Sequence, residues 1–227
     1  RGTVTNNAVT ISDGTIIGYV TGGYSEEANA TGNTVIMTGG TMNGMVTGGE
    51  AAGAADYNTV TITGGKIMGN NMPIVTIVDD DINVTGTIPG VAGGWSYFGT
   101  ASNNTVNILG GTFGEKATLY GGYGTNSTNN TLNLFTKGIT VAALDYFQNL
   151  NFYIPKEAVN GSTMLTITSG EPTDLTGATI KAGASDATIL NVGDKINLLV
   201  NEAGVTTDED QSSTTATKYG ILTDAGF

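Results

Sequence analysis

Cysteine and histidine are both absent from the 227 residues of this chain. Their absence excludes disulfide bonds, thiolate nucleophiles, imidazole bases and the commonest zinc and copper ligands. Positive charge is scarce as well, because eight lysines and arginines stand against 20 acidic residues and give a net charge of −12. With no basic stripe to neutralise phosphates, nucleic acids and anionic membranes are poor partners for this chain.

Long apolar runs are also missing. No stretch reaches the roughly 18 apolar residues of a membrane-spanning helix, so we expect no helical span. The first residues, Arg1, Gly2 and Thr3, lack the apolar core of a signal peptide, which makes the chain look like an excised piece. What is abundant is glycine, with 35 residues, together with threonine and asparagine. Glycine and asparagine suit tight turns and threonine suits strands, so the composition predicts many short strands joined by turns.

Three short blocks recur along the first 150 residues. The first block is an asparagine followed by alternating apolar residues, at Asn7, Asn33, Asn58, Asn104 and Asn130. The second is a glycine turn followed by an apolar residue, at Ile16, Met42, Ile67 and Phe113. The third is an apolar residue followed by two glycines, at Gly22-Gly23, Gly48-Gly49, Gly93-Gly94 and Gly121-Gly122. The asparagines lie 26, 25, 46 and 26 residues apart, so the unit is about 25 residues long.

A unit of this kind predicts an all-β fold, a right-handed parallel β-helix. Alternation of apolar residues with threonine is strand periodicity, and one unit alone cannot bury its apolar face. Stacked units with three strands each make a three-faced solenoid of about 25 residues per coil. The glycines then serve corners that need a positive φ or a close approach that a Cβ would block. We expect the recurring asparagines to stack and to hydrogen-bond along the axis as a ladder.

The repeat is interrupted at about residues 70–90. This insertion accounts for the 46-residue spacing and holds two strand-like runs separated by an acidic segment, Asp79 to Asp81. It is either an additional coil or a protruding loop, and insertions on repeat scaffolds often lie on the binding face.

After residue 150 the pattern dissolves. We therefore divide the chain into β-helix repeats, 1–150, and a divergent C-terminal cap, 151–227, which shields the open end of the stack. Strand-like runs in this part cover residues 164–168, 176–180, 195–200 and 218–222. Four aromatic residues are predicted to lie in the core of the last coils: Tyr146, Phe147, Phe152 and Tyr153.

The repeats resemble a known family. Asn58-Thr59-Val60-Thr61-Ile62-Thr63-Gly64-Gly65 and the segment Val20-Thr21-Gly22-Gly23-Tyr24 look like units in passenger regions of bacterial autotransporters, above all surface adhesins of anaerobic Gram-negative bacteria. The resemblance implies a β-helix displayed outside the cell, attached to the outer membrane through a barrel that this fragment lacks, with an autochaperone-like cap. It also implies an adhesin that binds glycans or proteins on host or neighbouring cells. Self-association is left open.

The residue that follows the paired glycines is aromatic in three units of four. In successive units it is Tyr24, Glu50, Trp95 and Tyr123. Stacked aromatic rings on a solenoid flank form a platform for sugar rings, so we predict ligand binding at Tyr24, Trp95, Tyr97 and Tyr123. The alternative is that these rings only stack on one another and stiffen a corner.

The densest acidic segment supplies the remaining candidates. Asp79 and Asp81 share one face of an extended strand, so they are candidate calcium ligands, although the commoner role of such a run is a solvated loop. No other cofactor is expected. Paired carboxylates also occur in β-helix enzymes that cleave polysaccharides. We predict a protein that is not an enzyme, with an inert stalk as the alternative and a polysaccharide-degrading enzyme as the third candidate.

Overall fold

The computed structural model describes residues 2–69, 73–78, 81–87, 89–184, 188–208 and 223–224, with backbone alone for 73–78, 81–87 and 223–224. Every element in these ranges is a β-strand, so the chain is all-β as predicted. The strands, in chain order, are β1 (Val4–Thr5), β2 (Ala8–Ile11), β3 (Thr15–Thr21), β4 (Tyr24–Ser25), β5 (Ala30–Thr31), β6 (Thr34–Met37), β7 (Thr41–Ala51), β8 (Thr59–Ile62), β9 (Lys66–Gly69), β10 (Pro73–Val78), β11 (Asp81–Thr87), β12 (Val91–Ser96), β13 (Thr105–Ile108), β14 (Thr112–Lys116), β15 (Leu119–Tyr123), β16 (Thr131–Leu134), β17 (Ile139–Val141), β18 (Leu144–Asp145), β19 (Asn149–Ile154), β20 (Thr163–Ile167), β21 (Thr173–Asp174), β22 (Thr179–Ala184), β23 (Asn197–Asn201), β24 (Val205–Thr206) and β25 (Thr223–Asp224).

Two eight-stranded sheets contain most of these strands. Sheet I has the order β2-β6-β8-β13-β16-β19-β22-β25, and sheet II has the order β14-β9-β7-β12-β15-β18 with β3 and β4 also on β7. Within both sheets the pairs are parallel, except for the pair of β22 with β25. Parallel strands that recur in this way are consistent with a β-solenoid. None of the elements described is a helix that could cross a membrane.

The register of sheet I places like residues over one another. One inward column consists of Val9, Val35, Val60, Val106, Leu132, Leu150 and Ile180. A second consists of Ile11, Met37, Ile62, Ile108, Leu134, Phe152 and Ala182. Apart from Val9 in the first strand, these side chains are buried, whereas the residues between the two columns are partly or fully exposed: Thr10, Ile36, Thr61, Asn107, Asn133, Asn151 and Lys181. The predicted alternation is confirmed. Burial of each large apolar side chain contributes roughly 1.5–3 kcal/mol, so these two columns make the main stabilising contribution.

The predicted asparagine ladder is also confirmed. Asn58 donates from its backbone N–H and its Nδ2 to Oδ1 of Asn104, at 2.8 and 3.2 Å. The same two bonds join Asn7 to Asn33, Asn33 to Asn58, and Asn104 to Asn130. The ladder ends where Asn130 donates its backbone N–H to Oε1 of Gln148 at 2.9 Å. Asn33, Asn58, Asn104 and Asn130 are fully buried, so the ladder satisfies polar groups that water does not reach.

The paired glycines of the third block make room for this ladder. A Cβ built on Gly49 would lie 2.6 Å from Nδ2 of Asn58, and one on Gly23 would lie 2.6 Å from Nδ2 of Asn33. Neither glycine has a positive φ, so close approach is the reason for their glycine identity. Positive φ occurs instead in the second block, for example 84° at Gly65. Close approach therefore explains the glycines of the third block, and positive φ explains those of the second block.

The insertion at 70–90 holds a β-hairpin. Strands β10 and β11 pair with each other in antiparallel register, from Pro73 with Thr87 to Val78 with Asp81, and form a two-stranded sheet. Ile67, which precedes the insertion, pairs in parallel with Phe113, which follows it, so no strand of the insertion lies between them in the stack. Of the two alternatives, an additional coil is therefore wrong.

The parallel stack also continues past residue 150. Strand β19 spans the predicted boundary and pairs in parallel with both β16 and β22. A three-stranded sheet of β17, β20 and β23 stacks in the same way. The strands predicted at 164–168 and 195–200 correspond to β20 and β23, and the one predicted at 176–180 begins only at Thr179. The run at 218–222 lies outside the described residues.

Candidate functional site

The predicted aromatic column exists as a row across sheet II. Tyr24 lies opposite Glu50, Glu50 lies opposite Trp95, and Trp95 lies opposite Tyr123. Neighbouring strands are about 4.8 Å apart, so the row brings four side chains from four coils onto one outer surface.

Trp95 forms the floor of this surface. Its side chain is only 3% exposed and packs with Met45 and Ala92. Its ring stacks on Tyr123 with centroids 4.3 Å apart and planes at 17°, and it lies parallel to the ring of Tyr120 at 6.3 Å. Trp95 and Tyr123 therefore stack on each other, as the alternative interpretation of these rings predicts. A buried ring does not offer its face to a ligand, so the predicted contact at Trp95 needs correction to a supporting role.

Two tyrosines that were not among the predicted site residues, Tyr120 and Tyr146, complete the surface on the C-terminal side. The ring of Tyr146 meets Tyr120 edge-on at 5.0 Å and Tyr123 edge-on at 5.8 Å. Tyr146 is 45% exposed, so its predicted place in the core is wrong, whereas Phe147 and Phe152 are buried as predicted. Tyr153, the fourth residue predicted in the core, is only partly buried and stacks on Phe135 at 4.2 Å.

Three half-exposed tyrosines stand on the N-terminal side, around Glu50. Tyr19, Tyr24 and Tyr97 are 47%, 52% and 52% exposed. The Tyr97 hydroxyl donates a hydrogen bond of 2.6 Å to Oε1 of Glu50. Burial, this hydrogen bond and the Glu50 charge all raise the pKa of Tyr97, so its hydroxyl remains a donor at neutral pH. Tyr24 and Tyr97 are the predicted site residues that solvent reaches most freely.

We call these seven residues the outer aromatic face: Tyr19, Tyr24, Trp95, Tyr97, Tyr120, Tyr123 and Tyr146. They comprise six of the nine tyrosines and the only tryptophan of the chain. Chance placement of aromatic residues would scatter them over all sides of a solenoid. Their concentration on one surface, with partly exposed rings over a buried floor, marks this surface as the candidate site.

A second carboxylate belongs to the C-terminal side of the outer aromatic face. Asp145 lies opposite Tyr120 in the pair of β15 with β18. Although the residue is exposed, partial desolvation raises the pKa of its carboxyl. Burial also raises the pKa of Tyr120 and Tyr146, and the Asp145 charge adds to both effects.

The raised pKa of Asp145 leads to a prediction about the stability of the protein. The folded state binds the Asp145 proton more tightly than the unfolded state does, so ionised Asp145 destabilises the fold at neutral pH and this loss disappears as pH falls. We expect Asp145→Asn to be more stable than the parent at pH 7, with a difference that shrinks toward about pH 4, the ordinary pKa of aspartate. Denaturant unfolding across this pH range measures it.

Glu202→Gln is the control for the Asp145 experiment, because Glu202 is an exposed carboxylate away from the outer aromatic face. It should leave the stability and its pH profile unchanged. An Asp145→Asn variant that is less stable than the parent at pH 7 would contradict the prediction.

The predicted calcium site lies largely outside the described residues. Asp79 is not among them, and Asp81 is described only as the first backbone position of β11. Among the side chains that are described, no three acidic, cysteine or histidine residues are grouped to hold a metal ion.

A groove of about 460 Å³ lies elsewhere, lined by residues 166–170 and 201–203. It offers one carboxylate, Glu202, and no aromatic ring, so it provides less for ligand recognition than the outer aromatic face does.

The chemistry of the outer aromatic face is that of a surface for stacking and hydrogen bonding. Tyrosine rings offer flat apolar faces, phenolic hydroxyls donate and accept, and the carboxylates of Glu50 and Asp145 accept. No family model, no curated protein and no solved structure matches this chain.

Proposed function

We propose that this chain is a non-enzymatic binding module that recognises cell-surface glycans through the outer aromatic face. The observation that carries the proposal is the concentration of six of nine tyrosines and the only tryptophan on one surface. Sugar rings stack on aromatic faces through their C–H groups, and their hydroxyls donate to carboxylates. Half-exposed Tyr24 and Tyr97 supply the rings, and Glu50 and Asp145 supply the acceptors.

We infer that a right-handed β-helix with three faces and about 25 residues per coil presents this surface. Ladder bonds that join residues 25 or 26 apart support this inference. The likeness of the repeats to autotransporter passengers supports display on a bacterial surface as an adhesin. The absence of cysteine and histidine supports a role in binding over catalysis.

Removal of both exposed rings tests the proposal. We expect the double variant Tyr24→Ala, Tyr97→Ala to bind its glycan about 5- to 150-fold more weakly, since each stacked ring contributes about 0.5–1.5 kcal/mol. The ligand is first identified on a glycan array, and the affinities of parent and variant are then compared by titration calorimetry.

Tyr57→Ala is the matched control, because Tyr57 is 64% exposed and makes no ring contact with the outer aromatic face. It should bind as the parent does. Equal affinity of the double variant and the parent would overturn the proposed site, and binding to proteins alone would overturn the glycan class.

The alternative function is an inert stalk that projects another domain. The continuous asparagine ladder favours this alternative, since it stiffens the stack regardless of any ligand. A stalk predicts no saturable binding to glycans or to cell-surface proteins.

A further inference from the structure

Glu50 occupies a distinct position within the outer aromatic face. It lies directly opposite Tyr24 in the pair of β4 with β7, and its Oε1 accepts the Tyr97 hydroxyl. Tyr19 is on the same outer surface, opposite Met45. The Glu50 charge adds to the desolvation that raises the pKa of Tyr19, so this third ring also lies within electrostatic reach of the carboxylate. Tyr24 and Tyr97 therefore lie next to one carboxylate, and the half-exposed ring of Tyr19 stands near it on the same surface.

The carboxylate of Glu50 has capacity left for a ligand. An ionised carboxylate accepts about four hydrogen bonds, and among the described residues only Tyr97 donates to it. Oε2 has no donor in the described part of the chain, and no lysine or arginine there forms an ion pair with Glu50. A partly buried carboxylate without a counter-charge is best stabilised by a ligand that supplies one.

The charge distribution around this position is one-sided. The sequence has no lysine or arginine between residues 2 and 65 or between 67 and 115. Strands β3, β4, β7 and β12, which carry Tyr19, Tyr24, Glu50 and Trp95, all lie in these segments. The whole chain has a net charge of −12, so its field also attracts cations to the surface.

Aromatic rings and a carboxylate together favour an organic ammonium ion. The face of a tyrosine ring attracts a cation, and the carboxylate supplies the opposite charge and a hydrogen-bond acceptor. A neutral sugar would use the rings and leave the charge uncompensated. We propose that Glu50, with Tyr19, Tyr24 and Tyr97 around it, binds the protonated amino group of an amino sugar, so that the preferred glycan carries free 2-amino groups. This inference rests on the proposed glycan-binding function and specifies its ligand class.

Two oligosaccharides that differ in the acetylation of their 2-amino groups, and hence in charge, test the inference. A glucosamine hexamer and an N-acetylglucosamine hexamer are titrated into the protein by calorimetry at mildly acidic pH and low salt. We expect the glucosamine hexamer to bind at least about tenfold more tightly, and added salt to narrow the difference. Equal affinities, or tighter binding of the N-acetylated hexamer, would overturn the inference.

Glu50→Gln assigns the preference to this residue. Glutamine keeps an oxygen that accepts the Tyr97 hydroxyl, removes the charge and replaces the second acceptor oxygen with an amide donor. We expect this variant to bind both hexamers with the affinity that the parent shows for the N-acetylated one, whereas Glu202→Gln behaves like the parent. A preference that survives Glu50→Gln, or that survives loss of the Tyr24 and Tyr97 rings, would reflect general attraction to an acidic protein and would refute the site.

The outcomes separate this inference from the proposed function. Ring-dependent binding of both hexamers with equal affinity would leave the glycan-binding function standing and refute the ammonium site. Absence of binding to any glycan, charged or neutral, would refute both.

Discussion

Asn104→Ala is expected to lower the free energy of unfolding by roughly 3–5 kcal/mol, because each buried donor left without an acceptor costs about 1–3 kcal/mol. In the folded protein Oδ1 of Asn104 accepts two bonds from Asn58, one from the backbone N–H and one from Nδ2. Both donors are fully buried, so no water replaces the lost acceptor. Chemical denaturation followed by circular dichroism measures the change.

Asn107→Ala is the matched control for this substitution. Asn107 lies three residues further along the same coil and points outward, where its amide joins Thr61 and Asn133. Because this side chain is only partly buried, water replaces the bonds that it loses, and we expect a change of less than about 1 kcal/mol. Equal effects of the two substitutions would mean that the inner ladder contributes no more than the outer one.

Gly49→Ala is expected to destabilise the protein by about 3 kcal/mol, at the upper end of what an added methyl group does in a packed interior. The three atoms nearest to the added Cβ all belong to the Asn58 side-chain amide, at 2.6–2.7 Å. The methyl group therefore displaces the amide from its ladder position. Denaturant midpoints of parent and variant measure the effect.

The cause of this loss is tested in a second background. In Asn58→Ala the amide is gone, so Gly49→Ala should add much less destabilisation there than it does in the parent. Gly170→Ala, at an exposed glycine with nothing within 4 Å of its added Cβ and no positive φ, should leave stability within about 0.5 kcal/mol. A Gly49→Ala effect that is the same in both backgrounds would exclude the amide as the cause.

The sequence predicts the ladder and the inward columns because both follow from the repeat. Stacked coils place equivalent positions over one another, so aligning Asn58 with Asn104 already predicts their contact. The same alignment predicts the row from Tyr24 to Tyr123. It does not predict how a side chain lies within its row, and so Trp95 was expected at the surface although it is 3% exposed.

Two features escaped prediction. Asp145 follows Tyr120 at the regular spacing of 25 residues, but Tyr146 and Phe147 stand where the other units have paired glycines, so the third block is not recognisable there and Tyr146 was left out of the candidate site. The hydrogen bond of Tyr97 to Glu50 joins residues 47 positions apart across the hairpin insertion. A periodic pattern carries no information about such a contact.

The hairpin of β10 and β11 has a consequence for how this molecule can diversify. The ladder bond between Asn58 and Asn104 keeps the geometry of its neighbours although it spans 46 residues, so the corner accepts extra chain without any change in the rungs. Lengthening a loop costs little free energy, about 0.6 kcal/mol for each doubling of its length. Segments of different length and composition can therefore be exchanged at this corner while the stacked parallel strands stay unchanged.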